Sequence, residues 1–238
     1  MEEVGKITAQ DRYRTVEELI ARSQPSFNYY LLLVISSLIV ASGLLLNNSA
    51  IVIGGMIVTP LLTPVLSIAL GVIVGRGFLL KRQGFFLLKS FLIVVATGML
   101  LTFLFSEPTD PFIFENTVRA AILYFIVAIA SGAGATFAFI NKDISDILPG
   151  IAVAVSVVPP LSLIGLGLAS GSFELAQFYF VVFALNTIGI ILGGMVVLSS
   201  QKFYRAEKKV DEQIKEIKKE DKKKEDEKIA KEEKLINL

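Results

Sequence analysis
The sequence predicts an all-α membrane protein with six transmembrane helices, built as two inverted three-helix repeats whose helices 2 and 5 are broken by proline. Three observations predict this. Apolar residues make up 53% of the 238-residue chain, and the charges are segregated: residues 200–238 hold 13 Lys/Arg and 11 Asp/Glu, leaving a body of long uncharged runs. A soluble domain spreads its charges throughout. The second observation is a self-match. Shifted by 96 positions without a gap, residues 49–99 agree with 145–195 at 11 of 51 positions, including Gly54 with Gly150, Pro64 with Pro160, Gly71 with Gly167, Gly75 with Gly171 and Gly98 with Gly194. Glycine and proline set backbone shape, so these coincidences weigh more than the total. The third is a pair of proline motifs, Thr59-Pro60-Leu61-Leu62-Thr63-Pro64 in the second run and Ser156-Val157-Val158-Pro159-Pro160-Leu161-Ser162 in the fifth.

In chain order, residues 1–26 form an N-terminal segment. Thr15-Val16-Glu17-Glu18 reads as a capping box opening a short amphipathic helix with Val16, Leu19 and Ile20 on one side, stopped by Pro25. A bilayer core about 30 Å thick needs roughly 20 helical residues. Six runs meet that length, at about 27–46, 50–75, 85–105, 118–140, 147–170 and 176–199. The first three form repeat 1 (about 27–105) and the last three repeat 2 (about 118–199). Glu17 and Glu18 precede the first run, which leads directly into more membrane segment, so it reads as a retained anchor and not a signal peptide.

The tail, residues 200–238, mixes Lys and Glu at helical spacings and reads as a solvated segment, helical or disordered. Phe203, Val210 and Ile217 recur every seven residues with Ile214 beside them, which leaves open a short coiled coil holding a homo-oligomer. The near balance of the two charge signs gives no nucleic-acid-binding arm.

A unit with three crossings ends on the side opposite to its start, so its tandem copy is inserted upside down. Loop charge tests this independently. The loop after the second run carries Arg76, Lys81, Arg82 and Lys89, whose partners 96 positions on are Ser172, Gln177, Phe178 and Leu185. The segment between the repeats is acidic, with Glu107, Asp110 and Glu115. Basic residues collect on the cytoplasmic side, so both termini are expected in the cytoplasm of a protein of the cell membrane.

The proline motifs are the candidate site. A proline within a helix lacks an N–H and pushes off the carbonyl four residues earlier, so Pro60, Pro64, Pro159 and Pro160 are expected to free the carbonyls of Met56, Pro60, Val155 and Ser156. Unpaired carbonyls survive in hydrocarbon only inside protein or beside a watery cavity. Thr59, Thr63, Ser156 and Ser162 place hydroxyls near the breaks, and Asn186 with its repeat partner Ser90 adds an amide and another hydroxyl. The plainer reading stands beside this one: prolines are tolerated in membrane helices, Ser and Thr bond back to their own helix, and Asn186 serves as an interhelical hydrogen bond. Gly71-x-x-x-Gly75 and Gly167-x-x-x-Gly171 read as flat faces for close packing, between halves or between subunits.

No Asp, Glu, Lys or His falls in the middle of any run, which argues against a proton relay. The chain has neither His nor Cys, so the commonest transition-metal ligands and thiolate nucleophiles are missing, and no cofactor or metal is expected. With no group in the spans to activate a serine or threonine, the chain does not read as an enzyme.

Residues 53–60 followed by Pro64, residues 150–161, and Asn186 within Leu185-Asn186-Thr187 resemble the prokaryotic hydrophobic membrane proteins grouped as domain of unknown function 389. The resemblance covers about residues 27–199 and implies the fold boundary and a membrane location, without a substrate. The expected function is that of a transporter or channel for a small ion or polar solute, with lipid as surroundings and a central site at the broken helices. Freed carbonyls and hydroxyls suit a partly dehydrated cation or a neutral solute, whereas half-helix N-termini suit an anion. The alternative is a non-transporting scaffold or sensor that anchors the charged tail.

Overall fold
A computed structural model describes residues 7–105, 118–141 and 157–236; among them every regular element is helical. The helices are α1 (Ala9–Arg22), α2 (Phe27–Leu45), α3 (Ser49–Val58), α4 (Leu62–Val74), α5 (Gly77–Phe105), α6 (Val118–Ile140), α7 (Val158–Ala169), α8 (Phe173–Ser200) and α9 (Glu207–Ile236), with a 3-10 turn at Phe203–Ala206. Four of them, α2, α5, α6 and α8, are long and apolar enough to cross a membrane, and α3 with α4 makes a fifth candidate span bent by 55°. α7 is apolar but short. Among the expected spans, 147–170 is described only from Val157, so its first part lies outside the described residues.

α1 starts earlier than its expected capping box. Thr8 caps it, with Asp11 accepting from the Thr8 N–H at 3.0 Å and donating its own N–H to Thr8 Oγ1 at 3.2 Å. That reciprocal pair satisfies two orphan donors, while Thr15 points inward and bonds to the Asp11 carbonyl at 2.7 Å. Val16, Leu19 and Ile20 are fully buried, as the amphipathic pattern predicts.

Several chain ends meet at one end of the bundle. Arg14 of α1 donates to the carbonyl of Ile140, the last residue of α6, at 2.9 Å. Arg76 in the α4–α5 turn holds Asp211 of α9 with two bonds of 2.6 and 2.7 Å, and Lys209 of α9 pairs with Glu17 of α1. α9 therefore packs along the body instead of standing free. The heptad stripe is already used within the chain: Phe203 and Val210 are 0% exposed, Ile214 8% and Ile217 6%.

Glycines set the closest helix crossings. A Cβ on Gly193 would lie 2.1 Å from the Ile129 carbonyl oxygen, and one on Gly132 2.3 Å from that of Ile190, so α6 and α8 touch backbone to backbone. Gly189 meets residues 125–129 and Gly193 meets residues 129–133, so the two helices run parallel. α2 and α3 pack antiparallel, through Gly43 on Val52 and Gly55 on Val40.

In Gly71-x-x-x-Gly75 and Gly167-x-x-x-Gly171 the first glycine packs closely, a Cβ on Gly71 lying 3.0 Å from Leu80 and one on Gly167 2.9 Å from the Ala176 backbone, while the second makes a turn. Gly75 and Gly171 adopt φ of 70° and 73°, where only glycine is at ease. Behind them the N–H groups of Arg76 and Ser172 bond to the carbonyls of Gly71 and Gly167 at 3.0 and 2.8 Å. Each is a Schellman ending that folds α4 onto α5 and α7 onto α8.

Two further helix contacts are related by the 96-residue offset. Gly98 of α5 packs on Ser162 and Leu166 of α7, and Gly194 of α8 packs on Leu66 and Ala69 of α4. Since 98 and 194, and likewise 66 and 162, differ by 96, the Gly98–Ser162 and Gly194–Leu66 contacts join positions related by the same sequence offset.

Candidate functional site
α3 stops at Val58 and α4 starts at Leu62. The cause is local. Pro60 crowds the residue before it out of the helical region, and Thr59 adopts φ −71°, ψ 128°. The end of α3 is nonetheless patched by Thr59 itself, whose N–H bonds to the Met56 carbonyl at 3.2 Å and whose hydroxyl bonds to the Gly55 carbonyl at 3.1 Å. The Met56 carbonyl, expected to be freed by Pro60, is thus engaged.

The other prolines sit where a missing N–H costs nothing. Pro64 is the third residue of α4, and Pro159 and Pro160 are the second and third of α7, all in first turns whose N–H groups have no intrahelical partner. They start helices; what they present is an N-terminus more than a released carbonyl. Ser156 and Val155 lie outside the described residues.

The break opens a cavity of about 430 Å³. Its wall combines Arg22 from the end of α1, Ser26, Asn28, Tyr29 and Leu32 from the start of α2, Ile57, Thr59 and Pro60 from the break, Leu62 and Thr63 from the start of α4, and Phe139 from α6. α2 is capped by Ser26, which accepts from the Tyr29 N–H at 3.2 Å; α4 has no side-chain cap. The Thr63 hydroxyl reaches the Arg22 carbonyl at 3.4 Å, and the Arg22 guanidinium stands 5.7 Å from the centre of the Phe139 ring. The lining contains one cation and no carboxylate. Its character is that of a donor-rich hollow: the guanidinium, the Asn28 amide, the Ser26 hydroxyl and the uncapped first turn of α4 all offer hydrogens.

Among the residues singled out in the sequence, Thr59, Pro60 and Thr63 line this cavity and Pro64 is buried next to it along α4. Ser90 is connected to it through Tyr29, whose hydroxyl lies 3.0 Å from Ser90 Oγ. Pro159, Pro160, Ser162 and Asn186 belong elsewhere: Ser162 is 0% exposed on the α7 face that meets Gly98, and Asn186 is 3% exposed within α8. The Ser162 hydroxyl has no hydrogen-bond partner among the described residues. Sequence reasoning missed Arg22, Asn28, Tyr29 and Phe139. Arg22 ends α1 three residues before Pro25, and nothing local in the sequence brings α1 back over the break.

Helical throughout its described residues, with four helices long and apolar enough to cross a membrane, the chain is of the class of membrane-embedded helical proteins. Its family follows from comparison. The model of the family described as Domain of unknown function (DUF389) matches residues 56–192, more than half of the chain and including the break, and the chain belongs to that family. It is also similar to an uncharacterized protein of Methanocaldococcus jannaschii, with 24% identity over 148 residues, 62% of this chain. That alignment spans 46% of the relative's length. No solved structure matches the chain.

Proposed function
We propose that this protein carries or conducts a small solute across a membrane, with the cavity at the α3–α4 break as its solute site and a small anion as the solute its chemistry fits best. The carrying observation is the break itself: a helix interrupted at Thr59–Leu61 beside a cavity of about 430 Å³ that holds Arg22 and no carboxylate. Interrupted helices lining a cavity are how membrane proteins expose backbone polar groups to a solute. The balance tips to an anion because the Met56 carbonyl and the Thr59 hydroxyl proton are already engaged, while Arg22 and the uncapped start of α4 are donors.

Two inverted three-helix halves are the frame that suits this reading. α1, the α4–α5 turn, the end of α6 and α9 gather at one end of the bundle, which suits a chain whose first half runs up, down and up and whose second half runs the opposite way. The reciprocal Gly98–Ser162 and Gly194–Leu66 contacts support it further, because a two-fold axis between halves produces such an exchange. The docking of α9 on the body weighs against a scaffold that presents a free tail.

The test is uptake into proteoliposomes of labelled small anions, monovalent cations and neutral polar solutes. A small anion is expected to enter, and Arg22→Gln to slow it by roughly ten-fold or more, the size of a lost charge-assisted hydrogen bond. Failure of every solute to cross, or uptake unchanged by Arg22→Gln, contradicts the proposal.

A further inference from the structure
We propose that α9 is a salt-releasable latch on the mouth of the cavity, acting through Asp221, Arg82 and Gln24. This rests on reading the cavity as the solute site, but the latch has its own geometry and its own readout.

The connection runs residue to residue. Arg82 of α5 pairs with Asp221 of α9 through Nη1, and its Nη2 reaches the other Asp221 oxygen at 3.3 Å and Gln24 Oε1 at 2.9 Å. Gln24 lies in the α1–α2 turn, two residues from Arg22 and two from Ser26, both in the cavity wall. The Arg22 carbonyl is in turn the acceptor for Thr63 at the start of α4. One guanidinium therefore ties the tail helix to the turn that forms one rim of the cavity.

α9 is held in two different ways along its length. Its first part is fixed by the buried stripe of Val210, Ile214 and Ile217 and by the two-bonded Arg76–Asp211 pair. Beyond Ile217 the described contacts with the body are Lys218 over the Phe78 ring, at 4.8 Å, and Asp221 on Arg82. The side chains of Arg82 and Asp221 are 22% and 45% exposed, so salt reaches the pair. Screening shortens from about 10 Å at 0.1 M salt to about 3 Å at 1 M, while apolar burial does not weaken with salt in the same way. Raised ionic strength thus loosens the outer part of α9 and leaves the inner part docked. A half-exposed pair is weak enough to open without unfolding its surroundings. Once Asp221 lets go, Arg82 loses the carboxylate that orients it towards Gln24, and the Arg22 turn is tied to the rim chiefly by the long Thr63 bond of 3.4 Å.

The chain has no cysteine, so a single Thr59→Cys reports access to the cavity. Its rate of modification by a membrane-impermeant maleimide is measured in lipid vesicles between about 0.05 and about 0.5 M salt. The rate is expected to rise roughly five-fold with salt. Asp221→Asn and, independently, Gln24→Ala bring it to the high-salt value at low salt and abolish the salt response. Lys223→Gln, a charge change on the exposed face of the same helix, leaves the response as it was. The latch is overturned by a rate that ignores salt and both substitutions, or by a Lys223→Gln effect as large as that of Asp221→Asn. Labelling that behaves as expected in vesicles that take up no solute sinks the transport reading and leaves the latch standing.

Discussion
Gly75 and Gly171, 96 positions apart, hold the same left-handed backbone, with φ of 70° and 73°, and close the same pair of hydrogen bonds at the ends of α4 and α7. At this pair of positions the coincidence of letters is also a coincidence of conformation. The turn each glycine makes sends a short apolar helix back against a long one.

Gly75→Ala and Gly171→Ala are expected to destabilise the protein by similar amounts, each about 1 kcal/mol, because alanine pays for the left-handed region that glycine enters freely. The measurement is the thermal midpoint of each variant in detergent. A large loss for one and none for the other would show that the turns are not equivalent.

At the α6–α8 crossing the cost is steric instead. Gly193→Ala places a methyl 2.1 Å from the Ile129 carbonyl oxygen, so the helices must separate, at about 1–3 kcal/mol. Gly54→Ala, on α3 with nothing within 4 Å, is neutral or slightly stabilising. The pair of melting curves checks both signs.

Pro60 and Pro64 are predicted to behave differently. Pro60→Ala restores an N–H and relaxes the restriction on Thr59, so α3 and α4 straighten towards one helix, the cavity shrinks and uptake falls while stability holds or rises. Pro64→Ala, in the first turn of α4, leaves uptake near the unaltered value. Equal effects of the two on uptake would remove Pro60 as the cause of the break.

Docking of the inner part of α9 has a defined pH dependence. The Arg76 side-chain bonds hold the Asp211 carboxyl below its ordinary value of 3.8. A depressed carboxylate pKa stabilises the docked state above the unfolded value, and that contribution fades as pH falls through the lower folded value. Docking, read as a spin-label distance between α9 and α5, is expected to hold steady from neutral pH down to about pH 4 and to weaken only below it. Asp211→Asn reduces the pH response, with the Lys209–Glu17 pair still in place.

Four of the apolar spans and the break at Thr59–Leu61 were legible in the sequence because each is a local matter of length or ring geometry, whereas Gly75 and Gly171 stood out only as a repeated spacing and were read as packing faces, not as turns. The cavity was half legible. Thr59, Pro60 and Thr63 advertise themselves by the motif they sit in, whereas Arg22, Tyr29 and Phe139 reach the site only through the tertiary path of α1, α2 and α6. The tail stripe of Phe203, Val210 and Ile217 was visible, but a seven-residue repeat does not say which surface covers it; here it is covered from within the chain. The small residues at the α6–α8 crossing were overlooked for a different reason. Gly132, Gly189 and Gly193 do not form the four-residue spacing across equivalent places that drew notice to Gly71 and Gly167, although Gly189 and Gly193 have that spacing on their own.

The inverted arrangement is tested most directly by locating two repeat-equivalent positions, 96 residues apart, with single cysteines in this cysteine-free chain. Arg82→Cys and Gln177→Cys, each in intact cells and in inverted vesicles, are treated with a membrane-impermeant maleimide. Opposite compartments for the two are predicted, with Arg82→Cys on the side that holds α1 and α9; labelling of both from the same side would contradict the account.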